Sequence, residues 1–207
     1  GANLNMRPNS WRELYAGYLL STYNTINRYL TQLSETKTAT AHAKVNFKDI
    51  LNEWFAYLEG SASRSWSDLI YGATIDEQAH VVYETKYLPH HTTNYALTGN
   101  IRKDFSWHST SIELQSCYNR SMSKTLRQTV VTDYNNDYYK VGGKLSTDIV
   151  RNLRLTYLCN LSLSQYKAAD YMQKLRLFNQ SASLNASLIR NVWLLQIDAK
   201  HTPNSGL

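Results

Sequence analysis

The chain has 207 residues, and its 22 Lys plus Arg exceed its 16 Asp plus Glu to give a net charge of +6. That length makes one domain or at most two. Charged residues are 18% and mean hydropathy is −0.48, and no apolar run approaches the roughly eighteen residues of a membrane helix, which excludes one.

Tyr is abundant (16), whereas Gly (8) and Pro (3) are scarce. Together with plentiful Ser, Thr and Asn, this is a composition of strands. Gly1 to Asn5 lack the basic and apolar regions of a signal peptide. Cys117 and Cys159 form no C-x-x-C pair and read as free thiols.

In chain order, a weak first segment runs from about Trp11 to Arg28, followed by a period of two. Ala39, Ala41, Ala43, Val45 and Phe47 alternate with Thr40, His42, Lys44 and Asn46. Trp54, Ala56, Leu58 and Gly60 then oppose Phe55, Tyr57, Glu59 and Ser61. The same alternation covers Tyr95 to Ile101, Ile112 to Tyr118, Tyr139 to Leu145, Leu153 to Leu163, Ala182 to Leu188 and Trp193 to Ala199. This predicts nine long strands in an all-β, antiparallel up-and-down meander.

Mid-strand charges, including Lys44, Glu59, Glu113, Lys140, Lys144 and Asp198, all fall on the polar parity. The apolar parity carries charge only near segment ends, at Arg64, Lys103 and Arg120. A soluble sandwich puts its polar face in bulk water, where charge is denser than on this Ser, Thr, Asn and Gln-rich face. A transmembrane barrel turns the apolar parity to lipid and the polar parity to a lumen. Connections alternate between short ones, such as Phe47 to Trp54, and long polar ones at Thr31 to Thr38, Ser67 to Thr92 and Ser121 to Tyr134. Trp11, Trp54, Trp107 and Trp193 all lie at the short-turn end, as an interfacial girdle would. Single-chain bacterial barrels have even strand numbers, so nine strands predict an incomplete barrel. Residues 1–207 are then one partial barrel domain, with no plug domain or signal peptide in this chain.

The runs Asn94 to Lys103, Asp133 to Leu145 and Leu153 to Tyr157 resemble the barrel of TonB-dependent receptors, in the subgroup with a carboxypeptidase-like regulatory domain. The segments Ser21 to Ile26 and Trp193 to Asn204 resemble later strands of the same family. The resemblance implies an outer-membrane receptor and transporter that imports a large nutrient (glycan, peptide or siderophore). Its implied partners are outer-membrane lipid and lipopolysaccharide, a periplasmic TonB-type energy-coupling protein acting through parts absent here, and a surface lipoprotein. The other reading is a soluble or surface-exposed all-β ligand-binding module.

In the barrel reading, His42, Lys44, Glu59, Glu113, Gln115, Asn119, Lys140, Lys144, Arg154 and Asp198 line the lumen. Tyr71, Tyr83, Tyr87, His90 and His91 lie in an outer loop that offers aromatic platforms and donors to a ligand. Arg64, Arg120 and Arg176 are rim cations suited to lipopolysaccharide phosphates. No metal site, cofactor or catalytic residue is expected: the histidines lack ligand spacing, and Glu59 and Glu113 make no recognisable acid pair. Lys and Arg are scattered through the strands without a patch, which argues against nucleic acid.

Overall fold

The computed structural model describes residues 1–8, 18–22, 25–28, 34–75, 80–127, 130–169, 171–188 and 193–203. Eleven strands occupy them: β1 (Ala2–Pro8), β2 (Tyr18–Thr22), β3 (Thr25–Arg28), β4 (Glu35–Asp49), β5 (Trp54–Ile75), β6 (Val81–Phe105), β7 (Thr110–Arg127), β8 (Val130–Val150), β9 (Leu153–Ala168), β10 (Tyr171–Leu188) and β11 (Trp193–His201). The main path β1-β4-β5-β6-β7-β8-β9-β10-β11 is an antiparallel sheet of nine strands that does not close on itself.

Tight connections define one end of the sheet, the turn end. In the β4–β5 hairpin, Asn52 donates to the Asp49 carboxylate from its backbone N (3.1 Å) and from Nδ2 (2.8 Å). Glu53 then takes a left-handed φ of 55°, which lets the chain reverse without splaying the strands. A 3-10 turn at Trp107–Ser109 joins β6 to β7, and His108 and Ser109 also have positive φ. Among the described residues no glycine adopts positive φ; Gly60, Gly99, Gly142 and Gly143 lie well inside their strands.

The far end differs from expectation in three ways. The long polar connections Ser67 to Thr92 and Ser121 to Tyr134 are largely strand, because β5 and β6 run for 22 and 25 residues and pair almost to their tips. Their backbone bonds to each other hold them extended although the apolar alternation has stopped. The first segment is also not one strand: β1 lies earlier, and Trp11 falls outside the described residues. Finally, the β5–β6 tip bends over, so that Gly72 and Ala73 pair in parallel with Leu126 and Arg127. A Cβ at Gly72 would collide with the Leu126 backbone, so only glycine permits that approach.

The bend encloses Leu69, Ile70 and Leu126, the buried apolar residues among those described. Elsewhere, among the described residues, the sheet is a single layer. Val45 and Leu114, in its middle, are 66% and 57% exposed.

Candidate functional site

Directly paired residues on neighbouring antiparallel strands point to the same face, so the register assigns every side chain to one of two faces. One row reads Phe47, Ala56, Ile101, Leu114, Gly143 and Cys159; the adjacent row reads Asn46, Tyr57, Asn100, Gln115, Gly142 and Asn160. They define a Leu114 face and a Gln115 face.

Lys44, Glu59, Glu113, Gln115, Asn119, Lys140, Lys144, Arg154 and Asp198 all lie on the Gln115 face, as does His42. Lys44 Nζ is 3.5 Å from Glu59 and 5.0 Å from the Tyr57 ring centre. Arg154 makes a two-pronged pair with Asp148, at 2.7 and 3.1 Å. Asp198 accepts from Gln196 at 2.7 Å, and Glu113 accepts from Asn100. Gln115 Nε2 reaches Asn160 Oδ1 at 3.5 Å across Gly142, where a Cβ would collide with that oxygen.

Glu59 and Glu113 are two strands and four register positions apart, about 16 Å from strand spacing and rise. Glycosidase carboxyl pairs lie within about 10 Å, so the sheet does not bring these two together for that chemistry. Among the described residues no cluster of His, Cys, Asp or Glu suits a metal ion.

The aromatic candidates divide by position. Trp54 opens β5, Trp107 lies in the 3-10 turn and Trp193 opens β11, so the three described members of the expected girdle share the turn end. Lys103 lies over Trp54, 5.5 Å from its ring centre. Tyr71, Tyr83 and Tyr87, expected in a loop, occupy paired strand positions on one face of the β5–β6 hairpin. His90 and His91 are neighbours on β6 and therefore point to opposite faces; His90 Nδ1 lies 3.0 Å from the Leu88 carbonyl.

Ion pairs reveal a zoning that the alternation alone does not show. Near the turn end, Lys44–Glu59, Arg102–Asp104 and Arg154–Asp148 occupy the Gln115 face. Toward the far end, Glu35–Lys37, Arg120–Asp137 and Lys124–Asp133 occupy the Leu114 face. Charge changes face at about the row of Tyr118 and Tyr139, whose rings stack 4.7 Å apart.

From that level to the row of Ser123 and Tyr134, the Gln115 face of β4 to β9 bears no Asp, Glu, Lys or Arg; by register Arg127 lies on it at the tip of β7. The face presents Thr36, Thr38, Thr40 and His42 on β4, Ser61, Ser63 and Ser65 on β5, Thr92 and Asn94 on β6, Asn119, Ser121 and Ser123 on β7, Tyr134, Asn136 and Tyr138 on β8, and Ser164 and Tyr166 on β9. Tyr134 meets Tyr166 edge to face at 4.8 Å. Partial burial, then Tyr166 beside it, push the Tyr134 phenol up to about 12. The residues missed from sequence are Tyr134, Tyr138 and Tyr166; the even spacing from Tyr134 to Tyr138 is the signal that could have found two of them.

No family model, curated protein or solved structure matches the chain. Geometry and sequence pattern alone therefore bear on its function.

Proposed function

We propose that this sheet is part of the wall of an outer-membrane β-barrel, with the Leu114 face toward lipid and the Gln115 face toward a lumen. The observation that carries it is the uncovered apolar face, because among the described residues no second layer packs on it. Between the row of Thr93, which pairs with Arg64, and Lys103 lie nine residues of β6, 94 to 102, whose Leu114-face members Tyr95, Leu97, Gly99 and Ile101 carry no charge; a spanning strand has roughly nine to eleven residues. Tryptophans at the turn end supply the girdle expected at that boundary.

Within this reading the intact protein is a TonB-dependent receptor that imports a large nutrient with energy from a periplasmic partner. The runs Asn94 to Lys103, Asp133 to Leu145 and Leu153 to Tyr157 support that finer step. Lys44, Glu59, Glu113, Lys140, Lys144, Arg154 and Asp198 would line the passage, and the neutral tyrosine-bearing zone would form its outer mouth.

Single probes at Leu114 and Gln115 test the wall. With the native cysteines replaced and the full-length protein in lipid vesicles, a lipid-soluble quencher reaches the probe at 114 and a water-soluble quencher reaches the probe at 115. A probe at 114 shielded from the lipid-soluble quencher overturns the barrel and leaves the soluble binding module. Uptake assays on cells carrying the intact protein then separate transport from a purely structural wall.

A further inference from the structure

Cations on the Leu114 face beyond the charge crossover differ in their partners, and Arg64 lies over the Trp66 ring, 5.6 Å from its centre. Lys37, Arg120 and Lys124 each face a carboxylate, at 2.6, 3.7 and 4.0 Å. Lys167, Lys174 and Arg176 take part in no ion pair among the described residues.

These three lie together. Lys167 is opposite Met172, Lys174 opposite Gln165 and Arg176 opposite Leu163, in three successive rows of the β9–β10 ladder. All are exposed. Lys174 and Arg176 are two residues apart on one strand, about 7 Å, and Lys167 is diagonal to Lys174 at about 7 to 8 Å. Like charges at such spacing repel, so the patch is complementary to a compact anion of more than one charge.

The geometry points to a lipid-phosphate site on the outward face of β9 and β10, formed by Lys167, Lys174 and Arg176. Its place decides the source of the phosphate. Arg176 lies in the row of Leu163, Tyr139 and Tyr118, whose other members are uncharged, with Phe178 and Leu161 one row further toward the turn end. A phosphate bound there has apolar wall directly beneath it for acyl chains, which a free phosphate ion would leave uncovered. The Arg176 guanidinium suits two-pronged contact with phosphate oxygens, and the lysines add point charge. The site rests on the barrel reading and adds to it the bis-phosphorylated lipid A class as ligand.

The test measures binding of fluorescent lipid A to the full-length protein in phosphatidylcholine nanodiscs. At about fivefold per cation near an anionic surface, the triple variant Lys167→Gln, Lys174→Gln and Arg176→Gln should bind about a hundredfold more weakly. The variant Lys37→Gln with Lys124→Gln, which removes paired cations of the same face, should change binding by less than about fivefold. Dephosphorylated lipid A should bind wild type as weakly as intact lipid A binds the triple variant. Equal losses in both variants, or undiminished binding by the triple variant, overturn the site, as does displacement of lipid A by inorganic phosphate at matched ionic strength. Heat-modifiable gel migration separates the two failures: a wild-type protein that never shows it overturns the barrel and the site together, whereas a folded barrel that ignores lipid A overturns the site alone.

Discussion

The two halves of the same strands use opposite charge conventions. Near the turn end, ion pairs such as Lys44–Glu59 occupy the Gln115 face; toward the far end, pairs such as Arg120–Asp137 occupy the Leu114 face, and among the described residues neither half has an ion pair on its other face. A strand buried on one side along its whole length has no reason to change convention. A strand that crosses from a lipid-filled layer into water does, since hydrocarbon excludes charge from one face only where it is present. The comparison also teaches that alternation alone understates these strands, because the period of two continues after its apolar member has become charged.

The largest test of this difference places one charge in each half. Leu114→Arg, inside the apolar band, should abolish membrane assembly, at about 2 to 4 kcal/mol for a midplane charge; Leu155→Arg and Leu184→Arg, at the turn end, should impair it less, whereas Met122→Arg, on the same face of β7 beyond the crossover, should assemble normally. Heat-modifiable migration of the full-length protein reads both. Loss of assembly in all four, or in none, removes the boundary between the halves.

A smaller effect contrasts adjacent glycines on the two faces. At Gly142 a Cβ collides with the Asn160 side chain, whereas at Gly143 its nearest contact is Cys159 Sγ at 3.4 Å. Gly142→Leu should therefore cost about 1 to 3 kcal/mol by overpacking, and Gly143→Ala should cost clearly less. Denaturant titration in micelles measures each.

Smaller still are two effects at the connections. Asn52, donating from side chain and backbone, holds the Asp49 carboxyl below its ordinary value. A carboxylate with a lowered folded pKa contributes stability above its unfolded pKa and loses it as pH falls through the folded one. The β4–β5 hairpin should therefore loosen in acid, and Asp49→Asn should remove that part of the pH dependence in amide exchange at Asn52. At the far end, Ala169 has a φ of 48°, and Ala169→Gly should stabilise the β9–β10 hairpin by up to about 1 kcal/mol, seen as a shift in denaturation midpoint.

Much of the fold was legible because a half-apolar sheet writes its period into the chain. The run Ile112, Leu114, Tyr118 against Glu113, Gln115, Asn119 fixed both strand and face, and the register places the lumen candidates together on the Gln115 face. The far half was not legible for a physical reason. Residues such as Tyr83, Thr85 and Tyr87 are extended because Ala73, Tyr71 and Leu69 pair with them, and a long-range partner leaves no local period. Arg64 and Arg120 on the apolar parity were the available clue: they marked the crossover, and not the ends of the strands. The bend at Gly72 depends on a contact with Leu126, which no local pattern announces.

β1 covers β4 only from Glu35 to Ala41, and every residue of β11 is exposed. Among the described residues, the stretch Ala43 to Asp49 and the outer side of β11 therefore offer rows of backbone donors and acceptors to whatever strand comes next. In hydrocarbon each unmet group costs several kcal/mol. On the proposed barrel reading the two edges thus act as a completeness requirement: such a wall would enter a bilayer only once both seams are closed, and left open they are templates for aggregation.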